Sequence, residues 1–263
     1  MGRVLLFSLW IFAALAGSAG AQTSRPLSTD RPDRTESPYS VPKGWLQLES
    51  DVVSHGELQD DDETLTGTSI CSLNLKYGVT PRVDLQIVFS PWVRLHAERP
   101  GSDDTDEGTG QAGLRAKFNI TGNDGGDIAA ALLPFAFIPT RGDPILDAAT
   151  WGFVTPVSID LGDGRAMSSM LGAMRVENED WWVIGSVSFA TPVAGAFASF
   201  FELYVARAGL DEDALEDVTA DTGITVALGA DWQLDAGVYY GITEPTEDWR
   251  VFAGASGRFS LSR

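Results

Sequence analysis

From Trp45 onward, apolar and polar residues alternate with period two in segments of about ten residues, separated by clusters of Gly, Asp, Asn or Pro. In Leu73-Asn74-Leu75-Lys76-Tyr77 the two sets fall on opposite faces of a pleated strand. Val83-Asp84-Leu85-Gln86-Ile87 repeats the pattern after the short connector 78–81, as a hairpin requires. The stretches Leu114–Ile120, Phe201–Val205, Leu234–Tyr240 and Trp249–Ala253 follow the same rule, and helical periodicity is nearly absent. The pattern predicts twelve strands, at 45–53, 65–77, 82–95, 110–121, 128–139, 150–160, 166–177, 180–190, 196–208, 219–229, 232–242 and 249–260.

The connectors alternate in kind. Those at 54–64, 96–109, 140–149 and 209–218 are long and several are acidic, whereas 78–81, 122–127, 161–165, 178–179 and 230–231 are short. An even strand number with long loops on one rim and short turns on the other is the arrangement of a bacterial outer-membrane barrel. The alternation of long and short breaks near 178–196. Trp45, Trp92, Trp151, Trp181, Trp182, Trp232 and Trp249 lie close to predicted strand ends, where a membrane–water girdle would need them. A soluble sandwich also alternates and would use the same tryptophans as core.

The N-terminus tips this balance. Arg3, the apolar run Val4–Ala16 and the small residues Ala19-Gly20-Ala21 read as a secretory signal cleaved before Gln22, too short to span a bilayer as a helix. Residues 22–44 then form a charged arm whose Pro26, Pro32, Pro38 and Pro42 exclude a helix or a central strand. The expected fold is therefore all-β: a signal peptide (1–21), an arm (22–44) and a closed antiparallel transmembrane barrel of about twelve strands (45–263).

Composition narrows the chemistry. The 263 residues carry a net charge of −19, which disfavours nucleic acid as a partner. A lone cysteine, Cys71, excludes a disulfide framework or a thiolate metal cluster. The only histidines are His55 and His96, and no G-x-S-x-G turn is present; Ser54 beside His55 and Ser90 near His96 are the sparse material for a barrel enzyme, with His96 near Asp84 and Arg94 the best single candidate. The acidic runs 60–63, 102–107 and 211–213 lack the spacing of a calcium loop, so no metal and no cofactor is expected. No phosphate-cradling loop points to nucleotide-driven transport.

Strand parity turns Glu49, Asp51, Lys76, Asp84, Arg94, Arg115, Lys117, Glu202, Asp235, Arg250 and Arg258 toward the lumen. On the lipid face an Arg or Lys would cost roughly 2–4 kcal/mol at the midplane. Such charges either select permeants or neutralise one another in a filled interior. The arm motif Asp30-Arg31-Pro32-Asp33-Arg34-Thr35-Glu36 either folds into the barrel mouth and pairs with these charges, or stays outside with exposed ion pairs worth about 0–1 kcal/mol each.

The stretch Ser28–Gly44, which contains that motif, resembles the opening signature of a bacterial family named for the putative MetA-pathway of phenol degradation. Leu75–Thr80, Gly113–Phe118, Glu202–Tyr204, Leu234–Gly237, Tyr240–Thr243 and Asp248–Gly254 continue the resemblance through the mature chain. It implies a Gram-negative outer-membrane barrel, embedded in outer-membrane lipid and placed there by the barrel insertion machinery, that passes small solutes, aromatic ones included. No catalytic motif or established site residue comes with the resemblance. Such barrels end on an aromatic residue that the machinery reads, whereas here four residues follow Phe259. A structural or adhesive surface protein, or a barrel enzyme, are the alternative readings.

Overall fold

The computed structural model describes residues 25–144, 147–179, 181–209, 216–244 and 246–261; the expected signal peptide and the acidic run 211–213 lie outside the described residues. Fourteen strands occur among those described: β1 Trp45–Asp60, β2 Glu63–Thr80, β3 Val83–Phe89, β4 Trp92–Arg99, β5 Ser102–Gly108, β6 Ala112–Thr121, β7 Ile128–Ile138, β8 Thr150–Gly162, β9 Arg165–Val176, β10 Trp181–Ala194, β11 Phe197–Ala208, β12 Glu216–Ala227, β13 Trp232–Gly241 and β14 Trp249–Ser260. Sequential antiparallel pairing closes on itself because β1 bonds to both β2 and β14. Along β2, β3 pairs with residues 73–80 and β4 with residues 64–70. β3 and β4 are thus one stave interrupted at Ser90-Pro91, and β5 and β6 a second interrupted at 109–111. The barrel has twelve staves, as the alternation predicts.

The first strand begins and the last strand ends at one rim, where Trp45 faces Ser260; we call it the terminal rim and the opposite one the distal rim. Terminal-rim turns are tight: Asp163 and Gly164 both take positive φ (52° and 74°), as a two-residue hairpin turn matched to strand twist demands. The distal segments 54–64 and 96–109, expected as loops, are instead paired extensions of β1–β2 and β4–β5. Their exposed residues need no apolar alternation, so a search for that alternation stops short of them.

The wall is inside out. Leu114 and Leu171 are each 66% exposed on the outer face, with Ile87, Ile120, Phe201 and Leu203 also outward, while Lys76, Lys117 and Asp84 are buried. That distribution suits lipid outside and a polar interior, and it excludes the soluble sandwich. Outward Trp92, Trp151, Trp181, Trp232 and Trp249 all begin strands. Trp45 and Trp182 depart from the girdle expectation: Trp45 shares the face of Gln47 and Glu49 beside Arg258, and Trp182 shares that of Ile184 and packs on buried apolar residues.

Parity does not run unbroken along every stave. Val52 is an extra residue in β1 relative to β14, Cys71 lies opposite it with φ 61°, and Ser90-Pro91 and 109–111 interrupt the next two staves at the same level. The bonds Ser90 N–H to Gln111 O (3.2 Å) and Gly110 N–H to Ser90 O (2.8 Å) hold that break together. Beyond it the faces exchange, so Val93 is buried and Arg94, across from Thr68 and Glu107, is exposed on the outer face. Arg94 is therefore not a lumen residue, because the parity count was carried through a break that reverses it.

Replacing outward Leu171 with Arg should lower folding stability in lipid vesicles by roughly 2–4 kcal/mol, read from denaturant titration. A change within about 0.5 kcal/mol would place that face away from lipid.

Candidate functional site

The arm 25–44 does not hang outside; it enters the lumen and bonds to the wall. Its hub is Asp30, whose carboxylate accepts from Lys76 Nζ and Lys117 Nζ, both at 2.5 Å. Arg115 lies 3.7 Å from Asp30 and also pairs with Glu36, while Lys76 pairs with Glu49. Three carboxylates (Asp30, Glu36, Glu49) thus meet three cations (Lys76, Arg115, Lys117) in one buried, balanced cluster. Burial pushes the Asp30 carboxyl upward, but Lys117, Lys76 and Arg115 outweigh it and hold Asp30 well below the usual carboxylate range. Glu49 also accepts the Asp30 N–H (3.1 Å) and the Gln47 side-chain amide (2.8 Å).

Around this hub the arm is fastened on further sides. Arg31 spans Asp51 (2.5 Å) and Asp235 (2.6 Å), which ties β1 to β13 through the arm. The Tyr239 hydroxyl donates to Pro32 O at 2.8 Å. Glu202 accepts the backbone N–H groups of Arg34 and Thr35, each at 2.7 Å, and the Thr35 hydroxyl. The Arg34 guanidinium lies 3.6 Å from the Tyr204 ring centroid, a cation–π contact, and 3.3 Å from Asp217. Nearer the chain's entry into β1, Asp84 accepts the Val41 N–H (2.9 Å) and Asn119 donates to Pro38 O (2.9 Å).

Of the charges assigned to the lumen by parity, Glu49, Asp51, Lys76, Asp84, Arg115, Lys117, Glu202 and Asp235 meet the arm. Arg258 meets its start, donating to Pro26 O and Arg25 O, and pairs with Asp231 (2.7 Å). Arg250 stands apart, paired with Glu247 and donating to Ser54 (2.8 Å). All five motif residues, Asp30, Arg31, Pro32, Asp33 and Glu36, make lumen contacts. Gln47, Gln86 and Asn119 share the same faces and were legible by parity, yet a search for charge passes over them. Asn123 sits in a turn, where nothing in the sequence signals its bonds to Ser40 and Pro81.

The histidines lie elsewhere. His55 meets Thr68 (2.8 Å) and the Trp249 ring, and His96 meets Thr105 (2.9 Å). His96 follows Arg94 on the outer face beyond the break, whereas Asp84 is buried inside, so the sequence neighbours proposed for catalysis are not brought together.

The sequence model of the family described as Putative MetA-pathway of phenol degradation matches residues 29–259. Among solved structures, the translocator domain of autotransporter NalP from Neisseria meningitidis is similar at 11% identity and TM-score 0.42, covering 98% of this chain and 96% of that one. The CymD monoaromatic hydrocarbon channel is similar at 9% identity and TM-score 0.43, covering 85% and 90%. The Ralstonia pickettii toluene transporter TbuX is similar at 9% identity and TM-score 0.43, covering 84% and 90%. No curated protein matches the chain in sequence.

Two outcomes are expected of the arm. Asp30→Asn leaves two buried ammonium groups short of a partner charge and should cost about 3–5 kcal/mol, seen as loss of hydrogen-exchange protection over residues 30–37. Asp33 is buried beside Glu202; burial first, and then that charge, push its pKa up to about 8, against a hydrogen bond with Ser188. A carboxyl raised in the docked state favours docking at low pH, and that contribution is lost progressively between about pH 4, the ordinary carboxylate value, and about pH 8. Arm protection, corrected for intrinsic exchange, should therefore fall between pH 5 and pH 8 and level off above in the wild type, and fall less steeply in Asp33→Asn, where Glu36, raised by burial to about 7, still titrates.

Proposed function

Because the chain belongs to the family described as putative MetA-pathway of phenol degradation, we propose that it is an outer-membrane channel for passive entry of small aromatic solutes, with its own arm as the internal plug. The observation that carries this reading is the pairing of an inside-out barrel with a lumen crossed by an ion-paired segment of the same chain. Lys76, Arg115, Lys117, Asp51 and Asp235, already paired with the arm, leave little for a free ion to bind. The lumen is therefore built to exclude ions while leaving room for neutral molecules beside the arm. Lipid meets the outward Leu, Ile and Phe residues, and the barrel insertion machinery acts on the closing strand β14 with its Phe259.

An enzymatic reading would need an imidazole near the lumen acids, and the two histidines lie on the outer face, His55 with Thr68 and His96 with Thr105 and Asp103. His55→Gln with His96→Gln should accordingly leave solute flux within a factor of two.

The reading is tested in proteoliposomes and planar bilayers. Wild-type protein should admit phenol at least tenfold faster than protein-free vesicles while its ionic conductance stays near background. Removal of residues 25–40 should raise the conductance to that of an open pore. Phenol entry at the protein-free rate, with the barrel shown to be folded, would overturn the assignment.

A further inference from the structure

The bonds that hold the arm are distributed unevenly round the barrel. Between Ser28 and Gly44 the partners lie on β1, β2, β3, β6, β11, β12, β13 and in the turns. Among the described residues no hydrogen bond or ion pair joins this part of the arm to β7, β8 or β9, and β10 contributes only the Ser186 and Ser188 hydroxyls. The arm bridges from Arg115 on β6 to Ser186 on β10 and Glu202 on β11 and passes β7, β8 and β9 without such a bond among the described residues.

That wall has its own chemistry, which cross-strand register lays out in rows. Nearest the distal rim are Phe135, Gly152, Met174 and Trp182. Next come Leu133, Val154, Gly172, Ile184 and Ala206, then Pro156, Met170, Ser186 and Tyr204. Last are Ala129, Ser158, Ser168, Ser188 and Glu202. From β7 to β10 these rows contain no charge, whereas Glu49, Asp51, Lys76, Asp84, Lys117 and Asp235 face the lumen on other staves. Leu133, Val154, Met170 and Ile184 are each at most 5% exposed and form a tight apolar cluster, flanked by half-buried Phe135, Met174 and Trp182. Below the last row, Ser158, Asp160 and Ala166 open into a cavity of about 940 Å³ that Tyr39, Ser40 and Pro42 of the arm close from the other side. Buried Trp182 Nε1 has no hydrogen-bond partner, so the entrance row keeps one unspent donor.

We propose that a neutral aromatic solute carrying a single oxygen crosses between the arm and the inner face of β7–β10, over Phe135, Met174 and Trp182, through the apolar constriction at Met170 and Ile184, and into the cavity beside Ser158 and Tyr39. This route rests on the transport reading and deepens it. Aromatic and thioether groups match an aromatic ring, and the indole N–H matches one oxygen acceptor. A permeant ion would meet no countercharge on this wall between Trp182 and Ser158, the first being Asp160 at the cavity. The constriction is held by dispersion contacts, which side-chain rotation releases without breaking any of the arm's ion pairs.

The test compares equally buried positions on the two walls. In a Cys71→Ala background, Met170→Cys and Ile184→Cys probe the constriction, and Ser256→Cys, fully buried on inward β14 opposite Glu49, probes the bonded side. In nanodiscs, benzyl methanethiosulfonate should modify Cys at 170 and 184 at least tenfold faster than at 256, and phenol should slow only the former. Equal rates, or protection confined to 256, would overturn the route. Ile184→Trp should reduce phenol flux at least fivefold with arm protection unchanged; unaltered flux would likewise count against it. Vesicles that admit no phenol overturn the transport reading, while the labelling ratio still decides on its own whether the gap beside the arm exists.

Discussion

Every charge that lipid forbids on the outer face has to be neutralised within the lumen, and Asp30 is where that requirement concentrates. Lys76 and Lys117 on two different staves converge on its carboxylate at 2.5 Å, with Arg115 close by. Without Asp30, three cations would share Glu49 and Glu36 in a setting where an unpaired buried charge costs several kcal/mol. The arm supplies what the wall lacks. Its backbone N–H groups likewise satisfy Glu49, Asp84 and Glu202, which makes the segment as much a counter-ion for the barrel as an occupant of it.

The same arithmetic divides the barrel into two sectors. One is charged, bonded to the arm and nearly free of solvent; the other, β7 to β10, is apolar or small and makes almost no polar contact with it. Bonding the arm on every side would have filled the lumen with satisfied ion pairs and left nowhere for a solute. Concentrating the bonds on one side fixes the arm's position and leaves an apolar seam along the other. The cavity under Ser158 lies where that seam ends.

How far the sequence discloses this depends on which force sets each residue. Twelve staves were legible because the bilayer imposes strict alternation on Leu114, Leu171 and Phe201, and the lumen charges beside them followed from parity. Arg94 was misplaced because Val52, Cys71 and Ser90-Pro91 reverse the faces, and a bulge leaves no periodic trace in one stave read alone. The hairpin extensions of β1–β2 and β4–β5 were illegible for a different reason: once both faces are wet, strand residues such as Thr64, Thr66 and Thr105 need no apolar partner. For the arm, its prolines and mixed charges showed that it is irregular, yet its docking is set by contacts up to 233 residues away, as between Arg25 and Arg258. Composition and spacing do not encode such separations.

An arm from the same chain differs from a plug made of wall side chains in being both fixed and removable. Gly44 N–H to Gly78 O (2.8 Å) anchors its root against β2, and Trp45 begins β1 directly after, so the arm stays at high effective concentration near its site. Freeing it would expose Lys76, Lys117 and Glu49 together, and that shared cost makes partial release unfavourable. Two levels of movement are thereby separated in energy. Rotating Met170 or Ile184 breaks only dispersion contacts, whereas lifting the arm disrupts a buried network of charge-assisted hydrogen bonds. Passage of a small neutral molecule requires the first alone, and so the barrier that excludes ions can remain in place while a solute crosses.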